Sequence, residues 1–185
     1  MKNKDEELGK FISLILRHNP KVINITLDEN GWGNVDELIK GINKAGKHID
    51  FNTLEHLVYE NNKQRYSFSD DKSRIRANQG HSIKVDVELN EKYPPKYLYH
   101  GSAIRFLDSI MDIGIQKQSR QFVHLSADCN TAYSVGKRHG NPIILKINSI
   151  VMYEDGYKFY FSKNEVWLTE SVPVKYISVE GIDNV

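Results

Sequence analysis

Two adjacent prolines close the stretch LNEKYPPK at residues 89–96, and they divide the chain. A proline fixes its own φ, offers no backbone N–H and biases the residue before it towards extended backbone. A regular helix or a central strand does not run through such a pair, so the stretch reads as a linker. The sequence before it has the spacing of helices, and the sequence after it has that of short strands. A chain of 185 residues leaves each side enough length for a core of its own.

Residues 7–17 predict a helix, with Leu8, Phe11, Ile12, Ile15 and Leu16 at helical spacing and Pro20 as a stop. Arg17 and His18 fall at its C-terminus, where the helix dipole favours cations. NVDELIKGINKAG predicts a second helix, with Asn34 as N-cap and Gly46 near its end, and NTLEHLVYENN a third, capped by Asn52. RYSFS, a turn through Asp70-Asp71-Lys72, and SRIRA alternate as a hairpin. Three short helices followed by a two-stranded wing is the pattern of a winged helix. Beyond the linker, strands are expected near 97–100, 122–125, 142–147, 158–161, 165–168 and 175–179, with helices at 103–112 and 128–138. The fold class is therefore α+β, with an N-terminal lobe over 1–88 and a second α+β lobe over 96–185.

The net charge of +1 gives no global field towards nucleic acid, but the basic residues are uneven. Lys63, Arg65, Lys72, Arg74 and Arg76 face only Asp70 and Asp71, while Lys117, Arg120, Lys137 and Arg138 face Asp128. Such runs read either as solvated faces or as phosphate contacts. The single cysteine, Cys129, excludes an internal disulfide and a cysteine-based zinc site. FISLIL is too short to span a membrane and no signal-peptide pattern precedes it, so the expectation is a soluble, cytoplasmic protein. A monomer is the expected state, though no motif in the sequence sets it.

Chemistry concentrates in two segments. YLYHG at 97–101 places His100, Gly101 and Ser102 at a strand end, and VHLS at 123–126 offers His124 and Ser126 on another. Two imidazoles then share a cleft, and Gly101 without a Cβ leaves room for a ligand amide or sugar to approach the backbone. Arg17, His18, Arg65 and Arg120 are phosphate-type side chains that converge only if the lobes face each other; together they would hold a dianion through charge-assisted bonds. Singly, each is as readily a surface ion pair or a satisfied histidine. IRANQGHS at 75–82 is polar where a wing strand wants apolar alternation, which reads as a polar turn or a ligand-facing loop. No phosphate-binding glycine loop, dinucleotide fingerprint, nucleophile elbow or metal-binding histidine spacing is present.

Taken together, LGKFISLILRHNP, LDENGWGNVDELI, QRYSF, IRANQGHS, YLYHGS, FVHLSAD with TAYSVGKRHG, and VWLTESVPVKYI resemble the RNA 2′-phosphotransferases of tRNA splicing, in order and over nearly the whole chain. The resemblance implies a winged-helix lobe, an ADP-ribosyltransferase lobe, and NAD as co-substrate in the cleft between them, with no metal. It implies RNA carrying an internal 2′-phosphate, tRNA-like, as the partner. It implies two steps: the phosphate attacks the nicotinamide ribose and expels nicotinamide, and the ribose 2″-hydroxyl then attacks phosphorus. The products are 2′-hydroxyl RNA and ADP-ribose 1″,2″-cyclic phosphate. The family's catalytic set falls on Arg17, His18, Arg65 and Arg120. NAD is gripped around His100, Gly101 and Ser102 and around His124 and Ser126, with Gly114 and Ile115 covering the adenosine.

Two other readings stand beside it. An ADP-ribosyltransferase that modifies protein or nucleic acid without transesterification would want a glutamate on a late strand, where the chain reads Asn164-Glu165-Val166-Trp167. Strand alternation would put Glu165 and Val166 on opposite faces. A winged-helix regulator that senses NAD would need a basic reading helix, and the third helix carries Glu55 and Glu60 instead.

Overall fold

The computed structural model describes residues 2–60 and 64–180. Asn61, Asn62 and Lys63, on which the end of the third expected helix and one basic residue fall, lie outside the described residues. The chain is a mixed α+β protein that divides into two compact units, Met1–Glu88 and Leu89–Val185.

In the first unit, α1 (Lys2–Arg17) is followed by a single 3-10 turn at Pro20–Ile23, then β1 (Gly33–Asn34), α2 (Val35–Lys44) and α3 (Phe51–Tyr59). The hairpin β2 (Tyr66–Phe68) and β3 (Arg74–Ala77) completes an antiparallel sheet in the order β1-β3-β2. Leu8, Ile12, Ile15 and Leu16 of α1 pack with Leu38, Ile42, Leu54, Leu57, Ile75 and Ala77 in one core. That is the apolar stripe of three amphipathic helices closed on one face of a sheet. Asn34 caps α2 as its sequence suggests, its side chain accepting from Glu37 N–H at 3.0 Å. The cap of α3 is Asp50 rather than Asn52, with Thr53 N–H donating to its carboxylate at 2.8 Å. Asp50 stands three residues before Thr53, the spacing a cap requires, and its charge suits the helix N-terminus.

The second unit is built on β4 (Tyr97–Ala103) and β7 (Pro142–Asn148), antiparallel with His100 opposite Leu145. Between them come a 3-10 turn at Ile104–Phe106, α4 (Leu107–Ile113), β5 (Ile115–Gln116), β6 (Val123–Leu125) and α5 (Cys129–Gly136). After β7 come α6 (Ser149–Glu154), β8 (Tyr160–Phe161), β9 (Trp167–Thr169), β10 (Ser171–Val172) and β11 (Ile177–Val179). The sheets are β11-β7-β4, β6-β9-β8 and β10-β5. Leu98, Val123, Leu125, Leu145, Ile147, Phe159 and Trp167 form the core.

Four expectations change. The helix placed at 103–112 begins only at Leu107, because β4 continues to Ala103, which pairs with Pro142. The strand placed at 165–168 starts at Trp167; Glu165 is exposed, with φ +61°, in the turn that closes when Ser162 N–H donates to Val166 at 3.0 Å. Neither Glu165 nor Val166 is on a strand, so alternation does not sort them. α6 follows β7 directly and is tied to the supposed linker, with Ser149 Oγ donating to the Pro95 carbonyl at 2.6 Å. Lys92 N–H likewise donates to Phe159 at 2.8 Å, so residues 89–96 are docked on the second unit.

Gly101 also takes a different role. A Cβ there would lie 1.7 Å from the Ala132 carbonyl oxygen, and one on Gly136 would lie 2.6 Å from the Ser102 oxygen. The missing side chain admits the backbone of α5 against β4, and the space is not free for a ligand. Gly101→Ala is expected to cost about 3 kcal/mol or more, because both partners are backbone and neither gives way. Gly9→Ala, on α1 with nothing within 4 Å, should instead raise stability by up to about 1 kcal/mol. Thermal unfolding of the two variants checks the contrast.

Candidate active site

In the first unit, the end of α1, the residue before β2 and the segment after β3 come together. Arg17 is half-buried at the last position of α1, and its Nη2 donates to the Arg65 carbonyl at 3.5 Å. The same carbonyl accepts from Asn78 N–H at 2.9 Å. Asn78 is buried and uses its whole amide: Nδ2 donates to Gln64 O at 2.6 Å, and Oδ1 accepts from Ser67 Oγ at 2.7 Å. Arg65 is thereby held beside Arg17 by bonds to its backbone.

The segment then turns through Gly80, whose φ is +89° and whose missing Cβ would lie 3.6 Å from Arg17 Nη1. Ser82 N–H donates to the Arg17 carbonyl at 2.9 Å, and Ser82 Oγ is 2.9 Å from His18 Nδ1. Thus Arg17, His18 and Arg65 form one cationic group. Asn78 and Ser82, in the polar run that the sequence marks as a turn or a ligand-facing loop, hold it in place, with Gly80 and His81 packed beside them. Their signal in the sequence was a polar run where β3 had no further need of a strand.

His81 is 1% exposed, and its Nε2 has no hydrogen-bond partner among the described residues. Burial first, then the charges of Arg17, His18 and Arg76, bring its pKa down from 6.5 to about 4. It is a neutral spacer in a cationic neighbourhood.

In the second unit, β4 and β6 are joined by one bridge, at which Tyr99 and Ser126 exchange both N–H···O bonds at 2.9 and 2.8 Å. Beyond it the strands belong to different sheets, and His100 spans the gap: Nδ1–H donates to the His124 carbonyl at 3.0 Å. Burial is the main cause that lowers the His100 pKa, which favours the neutral ring. Nε2 is then a bare acceptor, suited to a sugar hydroxyl. Ser102 is buried on the same face of β4, two residues on. Arg120 Nη1 donates to His124 Nδ1 at 2.8 Å. A guanidinium only donates, so His124 carries its proton on Nε2.

The structure thus groups His100, Ser126, His124 and Arg120, with Ser102 beside them. Gly114 and Ile115 stand at the junction of α4 and β5. Gly114, at φ +77°, presses on the Val172 carbonyl, which lies 2.3 Å from its would-be Cβ, and Ile115 is buried. Both are accounted for by packing against β10. Among the described residues, no three His, Cys, Asp or Glu side chains cluster as a metal site, and no helix is long and apolar enough to cross a membrane.

A paired Arg and His on a helix end, with a second arginine tied to the first through its backbone, is an arrangement for a multiply charged phosphate. Sequence comparison decides which kind. A family model described as RNA 2′-phosphotransferase, Tpt1/KptA family, matches residues 3–171. The chain belongs to that family.

Similar proteins agree, each carrying the name probable RNA 2′-phosphotransferase. The one from Fusobacterium nucleatum subsp. nucleatum is 57% identical over 176 residues, covering 95% of this chain and 98% of its own. The one from Flavobacterium johnsoniae is 50% identical over 179 residues, covering 97% and 98%. That from Rhodopirellula baltica is 50% identical over 171 residues, covering 92% and 93%. As an RNA 2′-phosphotransferase family member the protein is an enzyme, a transferase whose family removes a 2′-phosphate from RNA.

The buried histidine of this site carries a pH dependence. Its folded pKa of about 4 lies below the ordinary 6.5, so between those values the unfolded chain takes up a proton that the folded one refuses. Stability is therefore full above about pH 6.5 and falls as the pH is lowered towards 4, by about 3 kcal/mol. Acid titration of the denaturation midpoint, followed by Trp32 fluorescence in a Trp167→Phe background, should show this slope. His81→Leu should flatten it.

Proposed function

We propose that this family member takes the 2′-phosphate from RNA with NAD as co-substrate, yielding 2′-hydroxyl RNA, nicotinamide and ADP-ribose 1″,2″-cyclic phosphate. The observation that supports it most is the Arg17–His18–Arg65 group fixed by the 78–82 segment, since a transfer with no side-chain nucleophile needs its phosphate held by pre-set charges. We read the first unit as a winged-helix lobe, from its helix order and three-stranded sheet, and the second as an ADP-ribosyltransferase-like lobe.

The donor set fits a dinucleotide: a neutral His100 with Nε2 as acceptor, and the Ser102 hydroxyl on the same strand face. NAD supplies an electrophilic ribose carbon and a leaving group that departs neutral. Arg17, Arg65 and Arg120 are assigned to the phosphate oxygens, aligning them for attack and offsetting charge as phosphorus becomes crowded. His18 is assigned as the acid. When the 2″-oxygen attacks phosphorus, the bond to the RNA 2′-oxygen breaks and His18 gives that oxygen its proton; the proton released by the 2″-hydroxyl restores His18. His124, bonded to Arg120, orients it. The natural RNA is read as tRNA-like, and the protein as a cytoplasmic monomer.

The test mixes an RNA bearing one internal 2′-phosphate with NAD and EDTA, and follows products by mass. The expected outcome is phosphate loss with cyclic phosphate and nicotinamide released, slowed about a hundredfold or more by Arg17→Ala or Arg120→Ala. ADP-ribose left stably on the RNA by the unaltered enzyme would instead favour a plain ADP-ribosyltransferase.

A further inference from the structure

Ser82 touches no atom assigned above to substrate, yet it is bonded to the proposed acid. We infer that Ser82 is a positioning residue whose hydroxyl holds the ring of His18, the proposed acid, through Nδ1. The inference rests on the function proposed above.

Three observations carry it. First, the segment is already anchored without the hydroxyl. Ser82 N–H and Ile83 N–H both donate to the Arg17 carbonyl, at 2.9 and 3.4 Å, and His81 is buried beside them. The Oγ···Nδ1 bond at 2.9 Å is thus additional to what tethers the chain. Second, Ser82 and His18 are both exposed, so the bond serves no core. An exposed bond between two mobile side chains is retained cheaply only when the backbone under both is fixed, and here one carbonyl fixes both: Arg17 is the residue before His18, and its oxygen holds Ser82.

Third, the chemistry suits a hydroxyl. Arg17 precedes His18 in the chain and is tied to Arg65, Lys21 follows three residues on in the 3-10 turn, and the neutral His81 is close enough for the charges of Arg17 and His18 to lower its pKa. Each cation disfavours a protonated imidazole. A hydroxyl that accepts from Nδ1–H favours the protonated ring and fixes its plane. A carboxylate would favour it more, but would also repel a phosphate dianion. Serine supplies the acceptor without the charge.

The experiment compares the full chain with Ser82→Ala and Ser82→Thr, both of which keep the backbone N–H. The His18 ring is titrated by NMR, and single-turnover reactions on the 2′-phosphorylated RNA resolve the two steps. In Ser82→Ala the His18 titration should move to lower pH by about half a unit or more. The limb on which the second step fails as pH rises should move with it. The ADP-ribosylated RNA should accumulate while the first step keeps its rate, and melting should be unchanged. Ser82→Thr should restore both readouts. With an active wild type, an unchanged His18 titration and second step in Ser82→Ala overturn this inference alone; so does a Ser82→Thr variant as impaired as Ser82→Ala. A wild type inert towards the RNA and NAD overturns the function first proposed, and the catalytic role of Ser82 with it.

Discussion

The last carbonyls of a helix need partners from outside it, and how α1 finds them organises the first unit. Its Arg17 carbonyl accepts from Ser82 and Ile83, more than sixty residues on, so the helix end is closed by the chain leaving β3. One contact fixes the direction of α1, the path of the 78–82 segment and the spacing of Arg17 and His18. The Arg65 carbonyl does the same for the other side of the group, accepting from Asn78 and from Arg17. Cations repel one another, and such a cluster persists because neutral groups tie the backbone beneath it. Asn78 and Ser82 do that work, and the uncharged His81 is buried beside them.

The second unit solves a different problem. Two sheets joined by a single bridge at Tyr99 and Ser126 would leave strand edges unsatisfied. His100 closes the gap with a side-chain bond to the His124 carbonyl, and Arg120 closes it further by donating to the His124 ring. Both bonds fix tautomers: Nδ1–H on His100, Nε2–H on His124. A pair of imidazoles that pattern alone could only place near each other becomes one acceptor and one donor with defined directions. Behind them, the close approach of α5 to β4 at Gly101 and Gly136 makes the strand rigid where the pair is mounted.

Much of this was legible. The helical stripe of α1 and the Asn34 cap are local properties, and local properties survive in sequence. The hairpin through Asp70-Asp71-Lys72 is likewise local, a turn between two alternating runs. What pattern misplaced was settled by contacts. The start of the helix after β4 was misplaced because Ala103 is claimed by Pro142, and the cap of α3 because the helix begins at Phe51, one residue before Asn52, with the Thr53 amide donating to Asp50. Glu165, placed on a strand by alternation, sits in a turn with positive φ. Gly101 looked like room for a ligand, and its space belongs to the backbone of α5.

By itself the sequence determined the family, the two-part α+β plan and the residue types that meet a phosphate, because motifs and periodicity are properties of neighbours along the chain. Only the tertiary structure decided which groups hold those residues in place. Asn78 reaches Arg65, Ser82 reaches His18 and Arg120 reaches His124 through hydrogen bonds at 2.8–2.9 Å, set by where strands and loops finally lie. The protonation of His81 and His100 was decided there too. Burial determines it, and burial exists only once the chain has folded.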